Sequence, residues 1–420
     1  MIKYFFHKIP RVQIYLDLSD LISVFFKTLF SKLERGQKTE EFENAFKSYY
    51  QVEQAVVLSQ ARIALYYILK NLNLSKGDQV LMTPLTIADM VNMIQLLDLE
   101  PVFCDLAKQT YNIDCQDLES KITDKTKVLF VTHLNGLSTD MDKIKKIVNE
   151  HDLVLIEDCS QSFGAKFKDK YLGTFGQASI FSLSVTKTCS TLFGGMIISN
   201  DSELVRKITD DTKDFNKPKK SVLISNIIKN LILKIATNRF IFSVFTYYLI
   251  YLLNLMSGNL VNRFVISNPN TILKKELDPK ILFHYTDLQA KIGIKVLKII
   301  DQDDQKRIDN VQFLFNSVSS KVKDRLPVVV PGARNVYWRM PIRVSRPKDF
   351  IRYMSKKYID TVSTNLVLAS QEPAFEKYKT DTPEAFESKF NSVFVPIHSS
   401  FSRLDIKYIA EALNSYFKDE

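Results

Sequence analysis

Cysteine is scarce in this chain: four in 420 residues, at positions 104, 115, 159 and 189. None forms a C-x-x-C pair, which argues against both a disulfide framework and a zinc site and favours a reducing compartment. No internal repeat or low-complexity tract is evident. No dense basic-aromatic tract or finger spacing points to nucleic acid, so none is expected as a partner. The first thirty residues are apolar but interrupted by Lys8, Arg11, Asp17 and Asp20. That breaks the signal-peptide pattern, and an amphipathic helix after Pro10 is expected instead.

What is present is the composition of a folded protein of one or two domains, with 45% hydrophobic and 25% charged residues. Lys and Arg exceed Asp and Glu by 57 to 47, a net charge of +10. Such an excess favours anionic partners such as phosphates or membrane surfaces. Between residues 55 and 199, strand-length apolar runs alternate with helical patterns: "AVVLS", "QVLMT", "EPVFCD", "KVLFVTH", "LVLIED", "ASIFSL" and "GGMIIS". This alternation predicts an α/β layered domain with a largely parallel sheet and a ligand at the carboxyl ends of the strands. From about residue 286 a long amphipathic helix, a strand at "YWRMPIRV" and further helices read as a smaller α+β domain.

The chemistry concentrates at strand ends. Asp158 closes "LVLIED", and Lys187 follows "FSLSVT". A lysine amine forms a Schiff base with an aldehyde such as pyridoxal phosphate. A carboxylate beside the pyridine nitrogen keeps that cofactor's electron sink protonated, and Asp158 is placed for it. "SQAR", residues 59–62, opens a helix directly after a strand, as phosphate binding requires. Ser182 adds a hydroxyl, and Gln161 a group for the ring hydroxyl. Singly, each has a plainer reading: a solvated lysine, a capping Asp, ordinary turn serines.

In order and spacing, "VVLSQARIAL", "LMTPLTIADMVNMI", "PVFCDL", "YNIDCQDLESKITDKTKVLFVTHLNGLSTDMDKI", "LVLIEDCSQSFGAKFKDKYLGTFGQASIFSLSVTK", "FGGMIISND" and the late "VFVPIHSSFSRLDIKYIAEAL" resemble the DegT/DnrJ/EryC1/StrS family. These are pyridoxal-phosphate sugar aminotransferases of fold type I. The resemblance implies a three-layer α/β/α large domain and a smaller α+β C-terminal domain. It implies pyridoxal 5'-phosphate on Lys187, Asp158 at the pyridinium and Gln161 beside the ring hydroxyl. Ser182, Ala61 and Arg62 would lie at the phosphate, and Ile87 over the ring. It further implies a homodimer, an amino-acid donor (usually glutamate) and a keto-sugar acceptor on a nucleotide or lipid carrier, for cell-surface polysaccharide or glycoconjugate synthesis. Three positions depart from the pattern. Arg62 replaces a hydroxyl residue, Ile87 an aromatic ring, and Leu282 an Asn that reaches the partner's phosphate; Arg62 is expected to make up for Leu282. His133, Cys159 and Cys189 read as structural, and Trp338 with Arg339 more as a strand than as a substrate clamp. The rivals are a sugar dehydratase of the same family, against which Lys187 argues, and a non-catalytic membrane-associated or regulatory protein.

The expected divisions are an N-terminal amphipathic segment (1–35), the large cofactor domain (36–217), an apolar and basic insert (218–280) and the small domain (281–420). From Phe240 to Asn262 there is no charged residue. The run Phe240–Met256 spans about 25 Å as a helix, short of the roughly 30 Å of a bilayer core. A single span would also part the two catalytic domains. The insert is therefore expected as an apolar helical hairpin, shallow or two-pass, with residues 221–262 held on an anionic membrane surface by Lys219, Lys220, Lys229, Lys234 and Arg239, or buried in an oligomer interface. The expected location is cytoplasmic and peripheral to the membrane.

Overall fold

The computed structural model describes residues 8–256 and 271–418; positions 257–262 of the apolar run lie outside them. Seven strands build the main sheet: β1 Gln54–Leu58, β2 Gln79–Met82, β3 Glu100–Phe103, β4 Thr126–Thr132, β5 Val154–Asp158, β6 Ala178–Ser182 and β7 Gly195–Ser199. Their order is β1-β7-β6-β5-β4-β2-β3. The neighbours from β6 through β5, β4 and β2 to β3 are parallel. Only β7 runs against its neighbours, β6 and β1. Every one of the seven apolar runs forms a strand, because each is apolar on both faces and helices cover both.

One covering layer contains α1 (Leu18–Phe30) and α2 (Gln37–Tyr50); the other contains α3 (Ala61–Lys70) and α4 (Ala88–Gln95). Phe42, Phe46 and Tyr50 of α2 pack under one face with Phe163 and Phe181. Ile63, Leu65 and Ile68 of α3 pack under the other with Ile156 and Ile180. A separate core lies around the strands β8 Met340–Arg343, β9 Val362–Ser363 and β10 Ser392–Val395.

Three expectations are sharpened or changed. The amphipathic helix expected after Pro10 is present as Leu18–Phe30, while Ile9 before it pairs with Ile359. The long helix expected from residue 286 is two, Asp287–Leu297 and Ile300–Ser317, broken at Lys298 and Ile299.

The inserted segment is the third. It does form helices, α5 (Lys220–Ala236) and then Arg239 through α6 (Tyr247–Met256) by way of a π turn. They do not pair with each other as a hairpin: α5 packs on α1, and the second helix packs on the C-terminal part. α5 runs antiparallel to α1: Lys220 Nζ donates to Leu29 O at 2.6 Å and Lys234 Nζ to Ile14 O at 2.9 Å. Leu223 and Ile227 join the core of the large layer with Leu21 and Val24. The second helix is fixed instead to the C-terminal part: Arg239 pairs with Asp405, and Tyr247 donates to Ser355 O. Lys8 Nζ donates to the Ser243 carbonyl at 2.6 Å, inside the π turn. No helix among the described residues is long and apolar enough to cross a membrane.

Candidate active site

Side chains alternate along a strand, and on β5 this parts two neighbouring acids. Leu155 belongs to the α2 side of the sheet and Ile156 to the α3 side, so Glu157 and Asp158 point opposite ways. Glu157, fully buried, accepts from the backbone N–H groups of Gly173, Phe175 and Gly176 at 2.7–2.9 Å. The Thr139 N–H donates to His133 Nδ1, which leaves Nε2 to donate to Glu157 at 3.2 Å. Glu157 and His133 are thus structural. They lie close enough to Cys159 to resemble a metal cluster, but their donor atoms are already taken by hydrogen bonds. Burial pushes the Cys159 and Cys189 thiols up, so both are inert packing groups.

Asp158 shares the α3 side with Ser182, which lies two residues past Ile180 of the α3 core on β6. Ser160 N–H donates to one Asp158 oxygen at 2.9 Å. Burial pushes the Asp158 carboxyl up, while hydrogen bonds from Ser160 and the charge of Lys187 pull it down. Thr132, its partner in register on β4, carries a buried hydroxyl with no partner. Gln161 accepts from the Asn135 N–H at 2.9 Å, which ties the turn after β4 to the loop after β5.

Lys187 stands in the loop between β6 and β7, where its N–H donates to Ser184 O and Thr191 N–H closes back on Leu183 O. Its amine sits 3.8 Å from the centroid of the Trp338 ring. Burial first, then the Arg339 guanidinium, lower its pKa to about 7, against the opposing pull of Asp158. Trp338 Nε1 donates to Thr186 O at 2.9 Å. Arg339 lies 4.4 Å over the Trp338 ring and donates to Asn365 at 3.4 Å. Sequence reasoning gave these two residues mainly to a strand; they instead precede β8 and reach the lysine. The adjacency of an aromatic and a cation in "YWR" was the signal available. Gly136 makes the approach possible. At φ +80° it bonds to Val336, and a Cβ there would meet Trp338 N at 2.6 Å.

The turn opening α3 lies against the same strand ends. Gly195 pairs with both Leu58 and Ser182. A Cβ on Gly195 would meet Ala61 N at 2.3 Å, so Ser182 and the Ala61 turn are close neighbours. Gln60, the N-cap residue, makes no side-chain capping bond. Ile87 is the residue before α4, and 36% of it is exposed. Arg62 pairs with Asp89 in the first turn of α4, and Lys274 meets the other Asp89 oxygen at 2.8 Å. Neither Asp89 nor Lys274 was picked out from the sequence. A complementary acid two residues past Ile87 was the only hint. Leu282 packs beside the α3 core of its own chain.

The DegT/DnrJ/EryC1/StrS aminotransferase family pattern matches residues 25–216 and 281–414. The chain belongs to that family. Among relatives in the family, it is 39% identical over 170 residues to GDP-perosamine synthase of Escherichia coli O157:H7. That match covers 40% of this chain and 47% of the relative, so it spans about half of that protein. Spore coat polysaccharide biosynthesis protein SpsC of Bacillus subtilis (strain 168) is 27% identical over 397 residues, covering 92% of this chain and 91% of the relative. In fold the chain is similar to an aminotransferase of Psychrobacter cryohalolentis, with TM-score 0.76 and 21% identity over 98% of this chain and 99% of the other. It is likewise similar to PseC of Helicobacter pylori, with TM-score 0.73 and 19% identity over 98% and 100%.

The residues fit the family's cofactor. A buried amine with a pKa near 7, a buried carboxylate on the next strand, an orphaned hydroxyl beside that carboxylate and a helix start with no side-chain cap are what pyridoxal phosphate would use.

Proposed function

We propose that this chain is a pyridoxal-phosphate aminotransferase. It moves an amino group from an amino acid, glutamate in this reading, to a keto sugar on a nucleotide or lipid carrier, for polysaccharide or glycoconjugate synthesis. The observation that carries the reading is the convergence of Lys187 and Asp158 at the carboxyl ends of β5 and β6. The cofactor, once bound, supplies an electron sink. Asp158 would hold the proton on its ring nitrogen, a contact that would favour the ionised carboxylate against burial. Gln161 would orient the ring, Ile87 would cover it by dispersion, and Ser182, the Ala61 N–H and Arg62 would hold the phosphate. Lys187 would hold the cofactor through its amine and, once released, would serve as the base that carries the proton. With its pKa near 7 it can both take and give that proton at neutral pH. Arg339, beside it, is placed for a donor carboxylate. Residues 36–217 and 281–420 are read as the two catalytic domains, and the active unit as at least a dimer.

The test has two parts. Borohydride reduction and peptide mapping should put the pyridoxyl group on Lys187. Adding glutamate to the loaded protein should shift the visible band as the cofactor takes up the amino group. A label on another lysine overturns the assignment; a label on Lys187 without a glutamate shift favours the non-catalytic rival.

A second reading concerns location. We infer that the outer faces of α1, α5 and the helix through α6 rest on the cytoplasmic side of a membrane. Phe30, Phe240 and Phe245 are 85%, 68% and 65% exposed, with Phe26, Ile232, Leu249 and Leu252 also exposed. Bare apolar surface of this extent is a liability in water. The basic flank supports this less than its composition suggests. Arg239 is paired with Asp405, whereas Lys220 and Lys234 donate only to backbone carbonyls and keep their charge, so apolar burial and lipid charge both contribute to the attraction.

A further inference from the structure

The chain from Ile272 to Ile281 crosses the mouth of the phosphate turn. The Asn92 side chain donates to Ile272 O at 3.0 Å and accepts from Lys274 N at 3.0 Å. At the other end, Ser59, the first residue of the SQAR turn, donates to Ile281 O at 2.5 Å. This strap brings Lys274 to Asp89, opposite Arg62.

Among the described residues, two largely buried cations meet one buried carboxylate, with Arg62, Lys274 and Asp89 18%, 24% and 5% exposed, while exposed Asp278 on the strap also draws on Lys274. Two helices, α3 and α4, also begin here, and neither has a side-chain cap. Each adds roughly half a positive charge. The cluster is therefore built for one more anion, on the side where Ser182 and the Ala61 turn meet.

Resting on the aminotransferase reading, we propose that Lys274 is a cofactor-phosphate ligand supplied in cis by the strap. It acts beside Arg62, with Asp89 as the positioning residue that holds both cations toward the phosphate. Leu282 cannot donate to any phosphate, and the strap takes over that task within one subunit. The approach of a dianion then draws the two cations partly off Asp89 without exposing any of the three.

Comparing pyridoxal phosphate with pyridoxal separates a phosphate contact from a structural one, since the two differ only in the phosphate. Titration of the full chain is followed by the visible absorbance of the bound cofactor. Lys274→Met should weaken pyridoxal phosphate binding about tenfold or more, as loss of a charge-assisted hydrogen bond does, and leave pyridoxal affinity unchanged. Lys274→Arg, which keeps the charge, should restore affinity to within about threefold. Equal loss for both compounds, or no loss for either, overturns the inference alone. A wild-type chain that binds neither compound overturns the aminotransferase reading and this inference with it.

Discussion

Trp338 caps Lys187: the indole centroid lies 3.8 Å from the amine, although 151 residues separate the two in sequence. The ring belongs to the segment before β8 and the lysine to the loop after β6, so the two parts of the chain close the site jointly. The cap excludes water from the amine, and burial is the largest cause of its lowered pKa.

A titration follows from that environment. The unfolded lysine titrates near 10.5 and the folded one near 7. Between those values the unfolded chain holds the proton and the fold does not. This group's contribution to stability is therefore complete above 10.5 and is lost as pH falls towards 7. The attacking form is the neutral amine. The rate of cofactor attachment should rise with pH to a midpoint near 7. Arg339→Gln removes a neighbouring cation and should move that midpoint upward. Stopped-flow absorbance across pH checks both; an unchanged midpoint in the variant would show that Arg339 does not face the amine in solution.

The neighbours Glu157 and Asp158 should separate cleanly on substitution. Glu157→Gln weakens three backbone contacts and the His133 contact, and should cost roughly 3 kcal/mol or more of stability. Asp158→Asn should leave the melting temperature of the cofactor-free chain nearly unchanged or higher, since the lost carboxylate is one that burial disfavours. It should still abolish most transamination. Thermal unfolding beside glutamate half-reaction rates tests the pair; the reverse pattern would exchange their roles.

Much of this was readable from sequence because it is local. Strands apolar on both faces, Asp158 ending one and Lys187 just beyond another are patterns within short windows. The unread parts depend on where distant segments dock. Nothing in "YWRMP" requires Trp338 to reach Lys187, and nothing in "TILKKELDP" requires Lys274 to reach Asp89. The insert misled for a related reason. An uncharged run predicts burial or lipid, but its partner surfaces, α1 for α5 and the C-terminal part for the next helix, lie outside any window.

Gly136 holds the two parts in register, so its substitution should act at a distance. Gly136→Ala places a methyl against Trp338 N and Tyr337 N in a left-handed conformation. The strain is of order 1–3 kcal/mol, and it is relieved by moving residues 336–339 away from Lys187. We expect kcat to fall more than pyridoxal phosphate affinity, because only Gln161 among the proposed cofactor-holding residues is tied to this turn, through Asn135. Loss of affinity as large as the loss of kcat would mean that the turn supports the cofactor itself.

The apolar outer face is best tested by substitution. Deleting residues 221–262 would also remove Leu223 and Ile227 from the core and Ser243 from Lys8, so a failure to fold would say nothing of lipid. Phe240, Phe245, Leu249 and Leu252 are exposed and replaceable. Burying such side chains in a bilayer interface is worth roughly 1.5–3 kcal/mol each when complete, so Phe245→Ser with Leu249→Ser should lower liposome affinity at least tenfold. Arg239 is paired with Asp405, but Lys220 and Lys234 keep their charge, so raising the salt should weaken wild-type binding in part while the apolar contribution persists. Flotation with phosphatidylglycerol vesicles, in low and high salt, reads both effects. Binding that vanishes in high salt but survives the double substitution would assign the attraction to the net positive charge. A wild-type chain that ignores vesicles at low salt and sediments as a concentration-dependent oligomer, dissociated by the same double substitution, would instead assign this face to a second copy of the chain.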